Sequence, residues 1–272
     1  MSGIHPTALV APTAIIGKGA SIGPWCQVGP HVTIGENARL ISHVVVDGNT
    51  SIGAGAVLYP FCTIGMAPQD LKYKGEDTRC EVGARAQIRE HVTIHRGTIT
   101  GTGITRVGDD CLLMAGSHVA HDCSLGQGVV MANNVLLGGH VTIGANAVIG
   151  GGAAIQQFAR VGRAAMIGGM AGVDGDVIPF GTVIGNRAHL ASLNVVGLRR
   201  RGYERSQIHA VRAAFRLIFR GEGVFADRVD TARAQLGHEA LVTEMLDFIA
   251  GDSKRGLIHA MGPDDGHDDD VA

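Results

Sequence analysis

The chain has 272 residues and a formal net charge of −2. This length allows one large domain or two smaller ones, and the small net charge implies no general attraction to nucleic acid or to a membrane. No secretory signal opens the chain and no run approaches the ~18 apolar residues of a membrane span, so the sequence predicts a cytoplasmic protein without one.

An aliphatic side chain recurs at every sixth position over most of the first 173 residues. The repeat pauses between residues 65 and 81, resumes in phase, and shifts by one residue after a second break that begins at Gly97. Twenty-six positions, which we call the rungs, fit this period: Ile4, Val10, Ile16, Ile22, Val28, Ile34, Leu40, Val46, Ile52, Leu58, Ile64, Val82, Ile88, Ile94, Val107, Leu113, Val119, Leu125, Met131, Leu137, Ile143, Ile149, Ile155, Val161, Ile167 and Val173.

A period of six matches neither an α-helix nor a half-buried strand. It is typical of short strands that turn a corner every six residues, so that three hexads complete one triangular coil. We therefore predict a mainly β fold, a parallel β-helix over residues 1–188 with loops at 65–81 and 97–106. Prisms with this repeat resemble the hexapeptide-repeat proteins, whose coils are left-handed, and that resemblance implies a left-handed β-helix here.

After the rungs end, apolar residues recur with helical spacing, which predicts a small C-terminal α-helical domain over residues 189–258. Residues 199–233 contain nine arginines and four acidic residues, a local charge of +5. From residue 262 onward the chain has five aspartates and no lysine or arginine, so residues 259–272 are predicted to be an acidic, disordered tail.

Histidines are concentrated in one part of the repeat. His118 and His121 lie three residues apart, and Asp122 follows the second. His140 comes one coil plus one residue after His121, so we expect these two on adjacent coils, and His95 adds a fourth imidazole. Several polar groups on one stripe of an otherwise aliphatic prism indicate a functional site.

Three interpretations of these histidines stay open on the residues alone. They could be surface side chains bonded to turn carbonyls. They could hold zinc between neighbouring prisms, as in a γ-class carbonic anhydrase. They could also act in general-base catalysis, where a neutral imidazole oriented by a carboxylate removes a proton from a substrate hydroxyl or amine. Since no serine or cysteine stands in a convincing nucleophile setting, the acceptor itself would then attack.

Five motifs, in the right order, resemble the acyl-carrier-protein-dependent UDP-N-acetylglucosamine O-acyltransferases, which catalyse the first step of lipid A synthesis. The resemblance covers nearly the whole chain up to Met261. Its motifs are Gln69-Asp-Leu-Lys-Tyr73, Ile94-His-Arg-Gly-Thr98, His118-Val-Ala-His-Asp-Cys123, Gly138-Gly-His-Val141 and Gly197-Leu-Arg-Arg-Arg-Gly202. It implies that a 3-hydroxyacyl group moves from the carrier-protein thioester to the sugar 3-hydroxyl, without a cofactor or a metal.

The resemblance also implies residue roles. His121 would be the general base, Asp122 would orient it, and the backbone N–H of Gly139 would support the oxyanion. Further substrate-binding positions are implied, namely His95, His118, Asn194, Arg200 and Arg201 for the nucleotide sugar, Asp70 for the acyl 3-hydroxyl, Lys72, His140 and Gln157 along the cleft, and Gly169 at the end of the acyl chain. A glycine at that end leaves room for about fourteen carbons.

The same resemblance implies a homotrimer with sites between adjacent prisms, and acyl carrier protein and UDP-N-acetylglucosamine as partners. The arginine-rich segment would dock the acidic carrier. Two alternatives remain: the N-acyltransferase of the same pathway, and a carbonic-anhydrase-like, metal-dependent hydratase. The former carries a separate N-terminal uridine-binding domain, whereas the hexads here begin at Ile4.

Overall fold

The computed structural model describes residues 3–260, and most of the predicted acidic tail lies outside these residues. The first half of the β-rich region contains eleven strands: β1 Gly3–Ile4, β2 Leu9–Val10, β3 Ile15–Ile16, β4 Ser21–Ile22, β5 Gln27–Val28, β6 Val32–Ile34, β7 Arg39–Leu40, β8 Val45–Val46, β9 Asn49–Ile52, β10 Val57–Leu58 and β11 Thr63–Met66. Almost every strand ends on a predicted rung.

The second half continues the pattern. Its strands are β12 Arg79–Val82, β13 Gln87–Ile88, β14 Thr93–His95, β15 Ile104–Val107, β16 Leu112–Leu113, β17 His118–Val119, β18 Ser124–Leu125, β19 Val130–Met131, β20 Leu136–Leu137, β21 Thr142–Ile143, β22 Val148–Ile149, β23 Ala154–Ile155, β24 Arg160–Val161, β25 Met166–Ile167, β26 Gly172–Val173, β27 Gly181–Ile184 and β28 His189–Leu193.

Every third strand pairs in parallel, which gives three sheets of eleven, nine and eight strands. The first sheet begins β1-β4-β7, the second β2-β5-β8, and the third contains β3, β6 and β9. Equivalent positions lie one coil apart, as His118 pairs with Leu136 eighteen residues later. The predicted β-helix is confirmed, and it is the left-handed parallel type of the hexapeptide-repeat proteins.

The rungs form the core of the prism. From Ile22 onward every rung is buried, which stabilises the fold by about 1.5–3 kcal/mol for each large aliphatic side chain. The first coil is less well covered: Ile4 is 48% exposed, because no coil among residues 3–260 lies beneath it. All five cysteines are buried and unpaired, as expected for small apolar side chains.

The two breaks in the repeat are loops, each shorter than predicted, and the second begins one residue earlier than predicted. The first covers residues 67–78 and the second residues 96–103, since β12 begins at Arg79 and β15 at Ile104. Arg96 ties the loops together: its Nε donates to the Tyr73 hydroxyl at 2.9 Å and its Nη1 donates to the Gly65 carbonyl at 2.8 Å. The first loop is therefore held against the prism beside the second.

The C-terminal part contains four helices, α1 Val195–Arg200, α2 Arg205–Arg220, α3 Phe225–Leu236 and α4 Ala240–Ala250. The predicted helical segment started at residue 189, but residues 189–193 form β28, which pairs antiparallel with β27 before the first helix begins. The apolar positions Ile208, Val211 and Ile218 of α2 are buried as the spacing predicts. Within residues 3–260 no helix has the length and apolar character that crossing a bilayer requires.

The outward positions of the three sheets differ in polarity. The first sheet presents Val57, Leu112, Val130, Val148 and Met166 at the residue before the rung. The second mixes the apolar Leu9, Val45 and Leu136 with Gln27, Thr63, Thr93 and His118. The third presents mainly polar residues in the same register: Thr33, Ser51, Glu81, Arg106, Ser124, Thr142 and Arg160. The first sheet is therefore apolar from β16 to β25, the second is mixed, and the third is mainly polar.

Candidate active site

His121 and Asp122 occupy a corner of the prism, in the turn between β17 on the second sheet and β18 on the third. Asp122 has a φ of +59°, a conformation that Asp tolerates better than most residues, and its N–H donates to the Thr105 hydroxyl at 2.8 Å. The two side chains point away from the aliphatic core but are still covered. His121 is 8% exposed and Asp122 5%, so the pair is largely shielded from solvent.

The Asp122 carboxylate is surrounded by hydrogen-bond donors from the second loop. Its Oδ1 accepts from the N–H groups of Thr98 and Gly103 at 3.1 and 3.0 Å and from the Thr102 hydroxyl at 3.2 Å. Its Oδ2 accepts from the Thr98 hydroxyl at 2.6 Å and from His121 at 2.9 Å. Burial opposes ionisation, but these bonds outweigh it and hold the pKa of Asp122 below its ordinary range.

The bond to Asp122 determines which His121 nitrogen is free. Nδ1 faces the ionised Oδ2 and therefore carries the proton, which leaves the Nε2 lone pair available as a base. Gly139 covers this side of the ring from the next coil. A Cβ at Gly139 would lie 2.6 Å from both Cε1 and Nε2 of His121, so only glycine fits there. The Gly139 N–H makes no hydrogen bond within residues 3–260.

His140 stands one coil above the pair, as its spacing predicts. Its ring meets His121 edge-on, with centroids 5.0 Å apart, and lies parallel to Phe158 at 4.4 Å. Burial lowers the pKa of His140; Asp122 acts in the opposite direction, and His121 and Lys254 lower it further. A neutral His140 therefore forms one wall of the site.

His118 lies on β17, the strand that leads into this corner, and His95 ends β14, the neighbouring strand of the second sheet. Nδ1 of His118 shares a 2.7 Å hydrogen bond with the Thr93 hydroxyl, and the His95 ring approaches it edge-on at 4.9 Å. Burial, with the neighbouring histidines and Arg96, lowers the pKa of His95 to about 4, so this imidazole is neutral. Its Nδ1 is buried and has no hydrogen-bond partner among the described residues.

His121, Asp122 and His140 bring their ligand atoms within 4.8 Å of one another, which raises the question of a metal. The arrangement does not suit one. Both oxygens of Asp122 already accept hydrogen bonds from neutral donors, and its Oδ2 faces the Nδ1 proton of His121. A cation in this position would have to displace those bonds, whereas an oriented neutral imidazole is ready for proton transfer.

A second polar cluster lies on another face of the chain. Asn194, Val196, Arg200 and Arg201 line a cavity of about 720 Å³ together with outward residues of the first sheet. The Asn194 amide caps α1 by accepting from the Gly197 N–H at 2.9 Å. Arg201 donates to the Gly197 and Asn146 carbonyls at 3.1 and 2.7 Å, which holds its guanidinium at the cavity edge.

Two family models match the chain. One, for hexapeptide transferase repeats, matches residues 13–48 and 104–139, and the other, for the second domain of UDP-N-acetylglucosamine O-acyltransferase, matches residues 176–258. An acyl-[acyl-carrier-protein]–UDP-N-acetylglucosamine O-acyltransferase from Caulobacter vibrioides is 54% identical over 254 residues, which are 93% of this chain and 97% of the relative. The chain belongs to this O-acyltransferase family.

Further members agree with this assignment. A relative of the same name from Azorhizobium caulinodans is 55% identical over 82% of this chain and 83% of its own. The crystal structure of the UDP-N-acetylglucosamine O-acyltransferase from Moraxella catarrhalis superposes with a TM-score of 0.91 at 41% identity, and covers 94% of this chain and 99% of its own. Membership therefore extends over both the prism and the helical segment.

The remaining residues that the O-acyltransferase resemblance implied are distributed over the chain. Asp70 lies on loop 67–78, and its carboxylate charge acts to raise the pKa of His140, the weakest of the influences on that ring. Lys72 is exposed on the same loop, and Gln157 follows His140 one coil higher. Gly169 lies on a different corner, between the first and second sheets, with its Cβ position 3.3 Å from the Gly151 carbonyl and otherwise open.

The sequence pattern did not predict that some other residues belong to this site. Asp122 is held by Thr98 and Thr102 from the loop 96–103 and by Thr105 from β15. All three precede Val107, where the hexad frame resumes, so nothing in the pattern marks them. Phe158 could have been found, since it lies one coil after His140, in the same register. Lys254 comes from the segment after the last helix, and no repeat connects it with the prism.

Proposed function

We propose that this chain transfers a 3-hydroxyacyl group from acyl carrier protein to the 3-hydroxyl of UDP-N-acetylglucosamine, the first step of lipid A synthesis. The observation that carries the proposal is the buried His121–Asp122 pair, whose free Nε2 lies against Gly139. The relatives' activity, given by their names, fits this pair because acyl transfer to a hydroxyl requires a base. We also propose a cytoplasmic location, where carrier-bound donors would be encountered.

Each group in the corner has a part in the proposed reaction. His121 Nε2 takes the proton of the sugar hydroxyl as that oxygen attacks the thioester carbonyl carbon. The tetrahedral oxyanion accepts a hydrogen bond from the Gly139 N–H, and Asp122 stabilises the imidazolium that has formed. The intermediate then expels the carrier thiol, which takes the proton back from His121, so that the enzyme is regenerated.

The acceptor and donor contacts are assigned by the same proposal. His95 and His118 bind the sugar, while Arg200 and Arg201, with Asn194, bind the diphosphate and nucleotide, since guanidinium groups pair well with phosphate oxygens. Asp70 accepts from the acyl 3-hydroxyl, and Lys72, His140 and Gln157 line the cleft. Identity above 50% with O-acyltransferases favours a hydroxyl acceptor over the amine of the pathway's N-acyltransferase.

The arginine cavity and the histidine corner lie on different sheets, which favours a site shared between chains. If the apolar stretch of the first sheet in one copy packs beside the exposed Leu136 on the second sheet of the next, Arg201 of one copy approaches His121 of the other. Two different complementary faces make a head-to-tail interface that closes into a ring, and a triangular prism with one polar face fits a ring of three. We therefore propose a homotrimer.

The interface can be disrupted on one face and spared on another. Leu136 lies 49% exposed on the second sheet, and a charge there would be buried in the trimer. Leu136→Glu is expected to shift the mass measured by light scattering from three chains toward one and to abolish activity. Thr142→Glu, at the same register on the polar third sheet, should leave both unchanged. A monomeric wild-type protein with full activity would contradict the trimer.

Carrier docking is expected to depend on the basic face of α2. Arg212 and Arg216 lie one turn apart and line shallow cavities with Phe215 and His209. Neutralising both arginines should raise KM for the carrier-bound donor, with turnover at saturation retained, because long-range attraction mainly affects encounter. A third protein, in which the exposed Lys18 at the other end of the prism is neutralised, is the matched control for the wild type and the double arginine variant. Equal KM values in all three proteins would rule out docking on α2.

Acyl-chain selection is expected to follow from the open space at Gly169. Since only the Gly151 carbonyl lies near its Cβ position, a chain of about fourteen carbons is the preferred donor, and Gly169→Met should favour shorter chains. Initial rates with carrier-bound 3-hydroxyacyl groups of ten to sixteen carbons measure this preference. A wild-type preference for ten carbons would overturn the assignment.

Genetic replacement tests the proposed function in the cell. A Gram-negative strain depleted of its own O-acyltransferase should grow when this chain is expressed, and should not grow with His121→Ala at the same protein level. Failure of the wild-type chain to restore growth, although it is folded and expressed, would count against the first step of lipid A synthesis as its role.

A further inference from the structure

The segment after α4 returns to the prism directly above the histidine corner. We call residues 252–258 the C-terminal strap. The Asp176 N–H donates to the Gly256 carbonyl at 2.7 Å, and the Ile258 N–H donates to the Asp176 carbonyl at 2.9 Å. Arg255 Nε donates to the Gln157 carbonyl at 2.7 Å. Three hydrogen bonds, two between backbone groups and one from a side chain, therefore hold the strap in a defined place.

This anchoring sets Lys254 over the last aromatic ring of the corner. Its Nζ lies 4.4 Å from the centroid of the Phe158 ring. Phe158 in turn stacks on His140 with centroids 4.4 Å apart and planes 10° from parallel, and His140 meets His121 edge-on. A cation over an aromatic face is attracted by the ring quadrupole. A continuous column thus runs from the strap to the proposed base.

The surroundings of Lys254 indicate that this column has a role beyond folding. The positive φ of His140 and Phe158, +62° and +73°, recurs at corners throughout the prism, as at Asn37 and Asp110, so it accounts only for the stacking of the two rings in one register. Lys254 is exposed and forms no ion pair with any carboxylate among residues 3–260. Its ammonium group therefore acts on the ring column without a competing salt bridge.

We propose that Lys254 is a positioning residue of the acyl-transfer site, which acts through Phe158 to hold His140 in place and neutral beside His121. This inference rests on the proposed function. The charged and titratable groups around His140 are Asp122, Asp70, His121 and Lys254. The two carboxylates favour a protonated His140, while Lys254 and His121 oppose it. Removal of the Lys254 charge therefore raises the pKa of His140.

A spectroscopic titration tests the proposal without any assay of activity. The His140 ring protons are followed by NMR against pH in the wild type, Lys254→Met, Lys254→Arg and the distant control Lys18→Met. The midpoint of His140 should move to higher pH only in Lys254→Met. An unchanged midpoint in that variant overturns the proposal, even if the chain proves to have no acyltransferase activity.

Kinetics then tests whether the effect passes through Phe158. Lys254→Met should lower kcat about 2–5-fold, the size of an exposed cation–π contact, with KM for the donor unchanged. In a Phe158→Leu background the same substitution should have little further effect, because the coupled partner is already absent. Equal losses in both backgrounds, or a loss confined to KM, would mean that Lys254 contacts substrate directly and would contradict the positioning role.

Discussion

His121→Ala is expected to lower kcat for acyl transfer by at least ~10², the usual contribution of a general base. Nε2 of His121 is the nitrogen of the buried pair that carries no proton. Among the described residues, Asp122 has no second imidazole within hydrogen-bond distance, so it orients His121 alone. The loss should fall on kcat, since the proposed sugar and nucleotide contacts lie on other side chains. Steady-state rates with carrier-bound 3-hydroxyacyl donors and UDP-N-acetylglucosamine measure this.

The control for this substitution is His238→Ala, because the His238 side chain is 72% exposed at the end of α3 and remote from the corner. That variant should retain full activity. Binding of UDP-N-acetylglucosamine to His121→Ala should also persist in calorimetry. Near-normal turnover in His121→Ala would show that the base lies elsewhere.

Asp122→Asn is expected to lower kcat by about 10²–10⁴ while the fold is retained. The carboxylate oxygen that faces two backbone N–H groups, from Thr98 and Gly103, must stay an acceptor, so the amide oxygen takes that position. The amide NH₂ then faces His121 Nδ1 and donates to it. The imidazole is forced into the tautomer with its proton on Nε2, which can no longer accept one from the sugar hydroxyl.

Asp110→Asn is the matched control for the effect of Asp122→Asn on the tautomer of His121. Asp110 has nearly the same backbone conformation, φ +57°, at another corner of the prism, where it pairs with the exposed Arg85. Its substitution should change neither kcat nor the melting temperature appreciably. Wild-type kcat in Asp122→Asn would show that orientation of His121 does not depend on this carboxylate.

The sequence was sufficient to predict the prism because its signal is repeated. Each rung is separately informative, and the rungs on the two sides of the first break do stack, Val82 on Ile52 and Ile94 on Ile64. The same arithmetic correctly predicted His121 and His140 as neighbours. Residue spacing translates into spatial distance wherever the coil is regular.

The rest of the site could not be predicted because it comes from irregular chain. Thr98 and Gly103 surround Asp122 from a loop whose path depends on packing, and no period assigns them a place. Lys254 reaches Phe158 across nearly a hundred residues of sequence, through a strap that is fixed by tertiary hydrogen bonds. The boundary of the helical part moved for a similar reason, because β28 pairs with β27 by a local reversal that helical spacing does not reveal.

Metal-independent O-acyl transfer to UDP-N-acetylglucosamine is tested most directly with the purified wild-type chain, by mass spectrometry of the product. Carrier-bound 3-hydroxytetradecanoyl donor and UDP-N-acetylglucosamine should give the 3-O-acylated nucleotide sugar, at a rate that does not change after treatment with a metal chelator. The proposed reaction would be contradicted by a product mixture without the ester, or by transfer only to a sugar that bears an amine. Activity that disappears with the chelator would contradict metal-independent transfer.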